Sequence, residues 1–193
     1  MSWTTGTQTE CLGANSAVGS AYNTSTALTV INPPTGVGYC PANFWLPSYG
    51  ISKSLLVKAY GVLSTTSTPN LTMAIYGDTA QGTASGTPLA TTGTVAMSSS
   101  VTNVDWSLEV VISNVTTGSS GTFLSDGIFT VYNAATTATA WTHARCSSSA
   151  ANPNTATTLS TQSAYYIELA ATWGSSSSSN TITCYSYVVL GLN

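Results

Sequence analysis

Apolar residues alternate with polar ones at every second position through much of the chain. Nowhere do they recur at helical spacing over three turns. Leu55, Val57, Ala59, Gly61 and Leu63 form one face of a predicted strand whose other face carries Lys58 and Tyr60. Successive side chains of a strand point to opposite faces, so such a pattern sets one face in a core and the other in water. After the polar turn 64–69, Leu71, Met73 and Ile75 form the next inward set, and the two segments read as a hairpin. Further on, Val104, Trp106, Leu108, Val110 and Ile112 alternate with Asp105, Ser107 and Glu109, the clearest strand of the sequence. A Gly/Ser/Thr break at 116–121 leads into 122–132, with Phe123, Phe129 and Val131 on one side. Tyr165, Ile167, Leu169, Ala171 and Trp173 form another strand, 174–180 a Ser-rich tip, and 181–192 the last strand. Weaker candidates are 27–32 and 94–97. About eight strands joined by turn-rich loops predict an all-β fold, an antiparallel β-sandwich of jelly-roll-like type.

Two stretches fit this pattern less well. Residues 1–26 hold few apolar side chains beyond Trp3, Leu12, Val18 and Tyr22, and read as an extended N-terminal arm ahead of a sandwich domain over 27–193. Residues 133–162 read as a long Ala/Ser/Thr/Asn loop carrying Trp141, His143, Arg145 and Cys146. A structureless insertion of that length is functional or is ordered by a partner.

Composition sharpens the picture. Charged residues are only 5% of the 193, against roughly 25% in ordinary domains. Thr (34) and Ser (29) make up about a third of the chain, so the surface is built from hydroxyls. Lys53, Lys58 and Arg145 are the whole set of Lys and Arg, too few to neutralise a phosphate backbone, so nucleic acid is not an expected partner. A net charge of −3 leaves little colloidal repulsion and favours life inside an assembly. No apolar window is long enough for a membrane helix, and no signal peptide is expected from residues 1–6, so a membrane partner is not expected and synthesis is expected in a reducing cytoplasm. Cys11, Cys40, Cys146 and Cys184 are irregularly spaced and are expected as inert thiols, with a structural disulfide as the alternative.

Candidate chemistry is sparse. The single histidine, His143, has no Gly-x-Ser-x-Gly elbow to serve, and no aspartate spacing promotes a triad. Asp105 and Glu109 share a strand face but stand roughly 13 Å apart, too far for a glycosidase pair. His143 and Cys146 have a spacing some zinc sites use, yet no further ligands join them. Gly36-Val37-Gly38 lacks the rest of a dinucleotide fingerprint. No catalytic residue, cofactor or metal is expected, and an enzyme is the least expected class.

The aromatic residues are more informative. Phe44-Trp45-Leu46-Pro47-Ser48-Tyr49 is a dense cluster that either folds back over the end of the sandwich or forms a contact patch for a neighbouring subunit. Trp3, near the end of the arm, and Trp141, in the 133–162 stretch, are further contact candidates. The candidate subunit or capsid contacts are therefore Trp3, Phe44, Trp45, Tyr49 and Trp141.

The run Ser54–Thr66 passing into Pro69–Gly77, with Val104-Asp105-Trp106-Ser107-Leu108-Glu109 and Leu169-Ala170-Ala171-Thr172-Trp173 ahead of a Ser-rich tip, resembles the small jelly-roll structural proteins of tailed bacteriophages. The likeness is one of strand texture and covers roughly 27–193. It implies a virion component on the outer capsid surface, made in the host cytoplasm, non-enzymatic and without cofactors. It further implies a homotrimer whose partner is the major capsid protein, acting as a decoration (cement or minor capsid) protein that stabilises the shell by bridging capsomers. The alternative is a tail-fibre or receptor-binding module that presents Tyr and Trp to a host surface glycan.

Overall fold

The alternation in the sequence becomes strand geometry. A computed structural model describes residues 9–15, 17–23, 26–46, 53–133, 141–149, 152 and 154–192. It contains β1 (Thr9–Asn15), β2 (Thr29–Val30), β3 (Gly38–Cys40), β4 (Ser54–Ser64), β5 (Asn70–Asp78), β6 (Ala90–Thr91), β7 (Val95–Ala96), β8 (Val104–Thr116), β9 (Gly121–Tyr132), β10 (Trp141–Ser147), β11 (Thr157–Leu159), β12 (Tyr165–Trp173) and β13 (Thr181–Leu192). There is no helix among the described residues. Every strand pairing is antiparallel, and the hydrogen-bonded order is β1-β13-β4-β8-β9-β10-β6-β5-β12-β2, with β3 on β12, β7 on β5 and β11 on β9.

The long strands β13, β4, β8, β9 and β10 make a front, and β5 and β12 make a back. The join between them is thin, because β6 meets β10 only where Thr91 faces Ser147. Bent at this point, the sheet doubles over so that its two inner faces meet. Val57, Trp106 and Phe129 from the front and Met73, Ile75 and Leu169 from the back belong to one buried core. Tyr187 on β13 donates a 2.7 Å hydrogen bond to the Ile167 carbonyl on β12, tying together strands near opposite ends of the hydrogen-bonded order. The chain is thus an all-β antiparallel sandwich.

The inward faces expected for 55–63 and 104–112 are buried as read, with Val104 only partly so. Three other expectations change. β4 and β5 are not a hairpin: β4 lies between β13 and β8, and β5 between β12 and the short strands β6 and β7. Period-two alternation fixes which face is apolar, not which strand is the neighbour. Residues 65–69 instead cross from front to back, anchored by the buried Thr65, whose N–H donates to Val101 O at 2.9 Å. The boundary at 26/27 is not a boundary of the fold, because β1 pairs along β13 and Tyr22 is buried in the core and bridged to Ile182. Within 133–162, β10 pairs with β9 over seven residues and β11 pairs with β9 over three, so much of that stretch belongs to the sheet.

Gly61 sits on the inner face of β4 where β13 bulges between Cys184 and Ser186. A Cβ there would drive into the Thr183 carbonyl oxygen, with the Trp106 ring at 2.9 Å. Gly61→Ala is expected to cost roughly 1–3 kcal/mol of stability, lowering Tm by about 2–4 °C for each kcal/mol at this chain length. Thermal unfolding followed by circular dichroism checks it.

Candidate functional site

The two sheets differ in what covers their outer sides. On the back, Ala74 and Tyr76 of β5 and Ala170 of β12 point outward yet are buried, with Ala84 packed on them. Among the described residues the front has no such cover. Tyr60 on β4, Val111 on β8, and Leu124 and Ile128 on β9 are all exposed there. The same face collects most of the charge of this charge-poor chain. Lys58 on β4 pairs with Glu109 on β8 at 2.9 Å, and Arg145 on β10 pairs with Asp126 on β9 at 2.8 Å. Both pairs are solvent-facing, so each contributes about 0–1 kcal/mol to stability. Asp105 is also on this face, as is His143, whose Nδ1 lies 3.1 Å from the Thr130 hydroxyl. A shallow depression of about 300 Å³ crosses the middle, lined by Lys58, Tyr60, Glu109, Ile128, Ser186 and Val188. Apolar side chains mixed with placed charges on an uncovered sheet are the composition of a protein-docking surface.

The second candidate is on the covered side. Glu168 on β12 is completely buried. Its carboxylate accepts from the Gly82 N–H at 2.7 Å and from Asn32 Nδ2 at 2.8 Å. Asn32 in turn accepts from the Leu169 N–H at 2.7 Å. No cationic side chain pairs with Glu168 among the described residues. Burial pushes its carboxyl above the usual range, the nearby Asp78 adds to this, and the two hydrogen bonds oppose it. Asp78 goes the other way: burial raises it, but donation from Ser85, Ala80, Thr83 and Thr79 outweighs burial and holds it below its ordinary value. The two carboxylates therefore clamp the loop after β5, and Gln81 closes it onto the Pro34 carbonyl. The adjoining cleft of about 350 Å³ is lined by Val30, Asn32, Pro34, Gln81, Gly82 and Glu168. A carboxylate sealed by two donors works as a structural tie between 31–35 and 79–86.

Of the expected contact residues, Trp141 is 52% exposed at the start of β10 and stands edge-on to Tyr132 at 5.5 Å. Phe44 and Trp45 are buried in the core. Trp45 packs edge-on to Phe123 at 4.8 Å and Phe44 edge-on to Trp45 at 5.1 Å, so these rings plug the end of the sandwich and are not surface groups. Trp3 and Tyr49 lie outside the described residues. His143 and Cys146 cannot share a ligand, since three residues along β10 places one outside and the other in the core. No group of three or more metal-ligating side chains occurs among the described residues.

The burial of Glu168 and the outward apolar residues Val111, Leu124 and Ile128 went unread in the sequence. Both carry a signal: Glu168 is the single polar residue inside the otherwise apolar run Ile167–Ala171, which marks a strand buried on both faces. Leu124, Ile128 and Val111 are apolar on the parity otherwise given to polar residues.

Glu168 has a raised folded-state pKa, so its contribution is fully present below its ordinary value of 4.5 and is lost as pH rises through the folded value. Asp78 has a lowered folded-state pKa, so its contribution is present above its ordinary value of 3.8 and is lost only as pH falls through its folded value. The urea midpoint is therefore expected to rise as pH falls toward 4.5, and Glu168→Gln should flatten that rise. Cys11 is exposed, whereas burial raises the thiols of Cys40, Cys146 and Cys184 to about 12. A disulfide-exchange reagent is expected to titrate one thiol quickly in the native protein and four in denaturant. No protein-family model matches this chain and no curated protein matches it, so its function is read from this arrangement of faces, ties and thiols.

Proposed function

We propose that the chain is a non-enzymatic structural protein of a tailed-phage virion, of the jelly-roll kind, that decorates the outside of the head. Its partner is the major capsid protein, and its work is contact: a hydroxyl-covered sandwich seated across neighbouring capsomers adds apolar and hydrogen-bonded area that must be broken before the shell can swell or split. The observation that carries this reading is Trp141. A half-exposed tryptophan packed edge-on to Tyr132 at the rim of a sheet is the residue type and setting that dominates protein–protein hot spots. The strand texture over 54–77, 104–109 and 169–173 supports the same reading.

A receptor-binding module is the second reading, and one feature favours it. Tyr39 and Tyr166 form a tilted pair at 5.3 Å, with Tyr39 exposed, on the β3–β12 side of the molecule. Paired tyrosines of this kind suit stacking on a sugar ring.

Purified protein is expected to co-sediment with undecorated heads of the phage that encodes it at a fixed stoichiometry. Trp141→Ala should weaken that binding at least about tenfold, the scale of a lost hot-spot ring, while leaving the unfolding temperature nearly unchanged. Absence of head binding together with glycan binding lost in Tyr39→Ala would replace the decoration reading by the receptor one.

A further inference from the structure

The uncovered front face is chemically symmetrical about the line between β4 and β8. Strand register sets the rows across the sheet: Val188, Lys58, Glu109 and Ile128 lie in one row, and Leu190, Leu56, Val111 and Asp126 in the next. Reflected across the β4/β8 line, Leu56 falls on Val111, Val188 on Ile128, and Leu192 on Leu124. Hydroxyls fall on hydroxyls in the same way, Ser54 on Ser113 and Ser186 on Thr130. The one charged couple inverts, because Lys58 falls on Glu109. The match fails at three places: Tyr60 falls on Ser107 beside the central row, and toward the rim Leu190 falls on Asp126 and Val62 on Asp105. Asp126 is already occupied by Arg145.

We infer that this face binds a second copy of the same chain, front to front, around a two-fold axis lying in the face between β4 and β8. A two-fold axis in the plane of contact performs this same reflection, so an isologous interface needs a patch whose apolar and hydroxyl positions mirror onto their own kind and whose charges mirror onto the opposite sign. Lys58 then meets Glu109 of the second copy twice, closing a ring of four alternating charges around the centre. Leu56 packs on the partner's Val111, and Val188 on the partner's Ile128.

Three neighbouring axes along the strands do not work. Moving it one strand, to the β8/β9 line, sets Lys58 over the partner's Arg145. Centring it on β4 or on β8 sets Lys58 on Lys58 or Glu109 on Glu109. The size is adequate: four strands at about 4.8 Å and five outward positions along each give a patch of roughly 19 Å by 30 Å. Two copies then bury about 1,200 Å², the lower edge of a stable specific interface. This dimer does not depend on what the protein binds besides itself.

Sedimentation velocity across the micromolar range tests it, with thermal unfolding as the control for folding. The wild-type chain is expected to show a monomer–dimer equilibrium. Ile128→Glu, at an exposed position, should weaken dimerisation at least about tenfold, the scale of a lost hot-spot anchor. Lys58→Glu and Glu109→Lys should each weaken it, and the double swap K58E/E109K should restore it, since both the internal pair and the two cross-pairs are rebuilt with reversed sign. A chain that stays monomeric at all concentrations, or forms only trimers, overturns the inference. So does a dimer indifferent to Ile128→Glu, or a double swap no tighter than the singles.

Discussion

Everything in this molecule hangs on the strict alternation of β4 and β8, the two central strands of the front sheet. Each inward residue of the pair is buried, from Leu55 to Leu63 and from Trp106 to Ile112. Most outward residues are polar or charged, with Leu56 and Val111 an adjacent apolar pair. Because one face must be dry, the register between these strands cannot slip by one residue without turning Leu108 and Val110 into water and Glu109 into the core. That fixed register positions β13 on one side and β9 on the other. Once the front is set, the thin link through β6 leaves the back sheet a single place to close, against the inner face of the front.

The two sheets solve the problem of their outer sides differently. The back has small or tied groups there, Ala74, Ala170 and Glu168, and is covered by the loops that follow β2 and β5. Glu168 makes that cover specific: its two oxygens take one donor from each covering loop, so both loops must be in place for the carboxylate to be satisfied. An apolar side chain would fill the same volume without fixing either loop. The cost is a carboxylate held away from water with no cation beside it, which is why its affinity for a proton is raised. The front instead has no cover among the described residues, and its charges lie at surface positions where they remain hydrated.

How far the sequence could be read follows from the same physics. The inward sets of β4, β8 and β12 were legible because alternation is a local signal, written in neighbouring residues. The pairing of β4 with β13 and β5 with β12 was not, since those partners are separated by more than eighty residues and no local pattern encodes them. β1 and β10 were missed for another reason. Both are edge or near-edge strands in which Thr, Gly, Ala and Ser stand where Val or Ile would announce a strand, and their pairing comes from a neighbour with a strong pattern, β13 or β9. At the candidate site, Trp141 was named as a contact candidate in a stretch read as a loop, and its exposed position at the start of a sheet strand was not legible. Phe44 and Trp45 were ambiguous because a dense aromatic cluster looks the same whether it caps its own core or waits for a partner.

A surface with so few charges changes what each charge does. On an ordinary domain a Lys–Glu couple is one of many, and its long-range field is averaged away by neighbours. Here, hydroxyls and small side chains dominate the exterior, and they hydrogen-bond to almost any polar partner without preferring one alignment. Apolar groups are equally tolerant of sliding. Lys58 and Glu109 are then among the few elements of the front face that discriminate one alignment from another, because a shifted contact sets like charges together or leaves a charge against an aliphatic chain. Poverty of charge thus concentrates specificity: area comes from the aliphatic and hydroxyl positions, and orientation comes from one ion pair at the centre of the sheet.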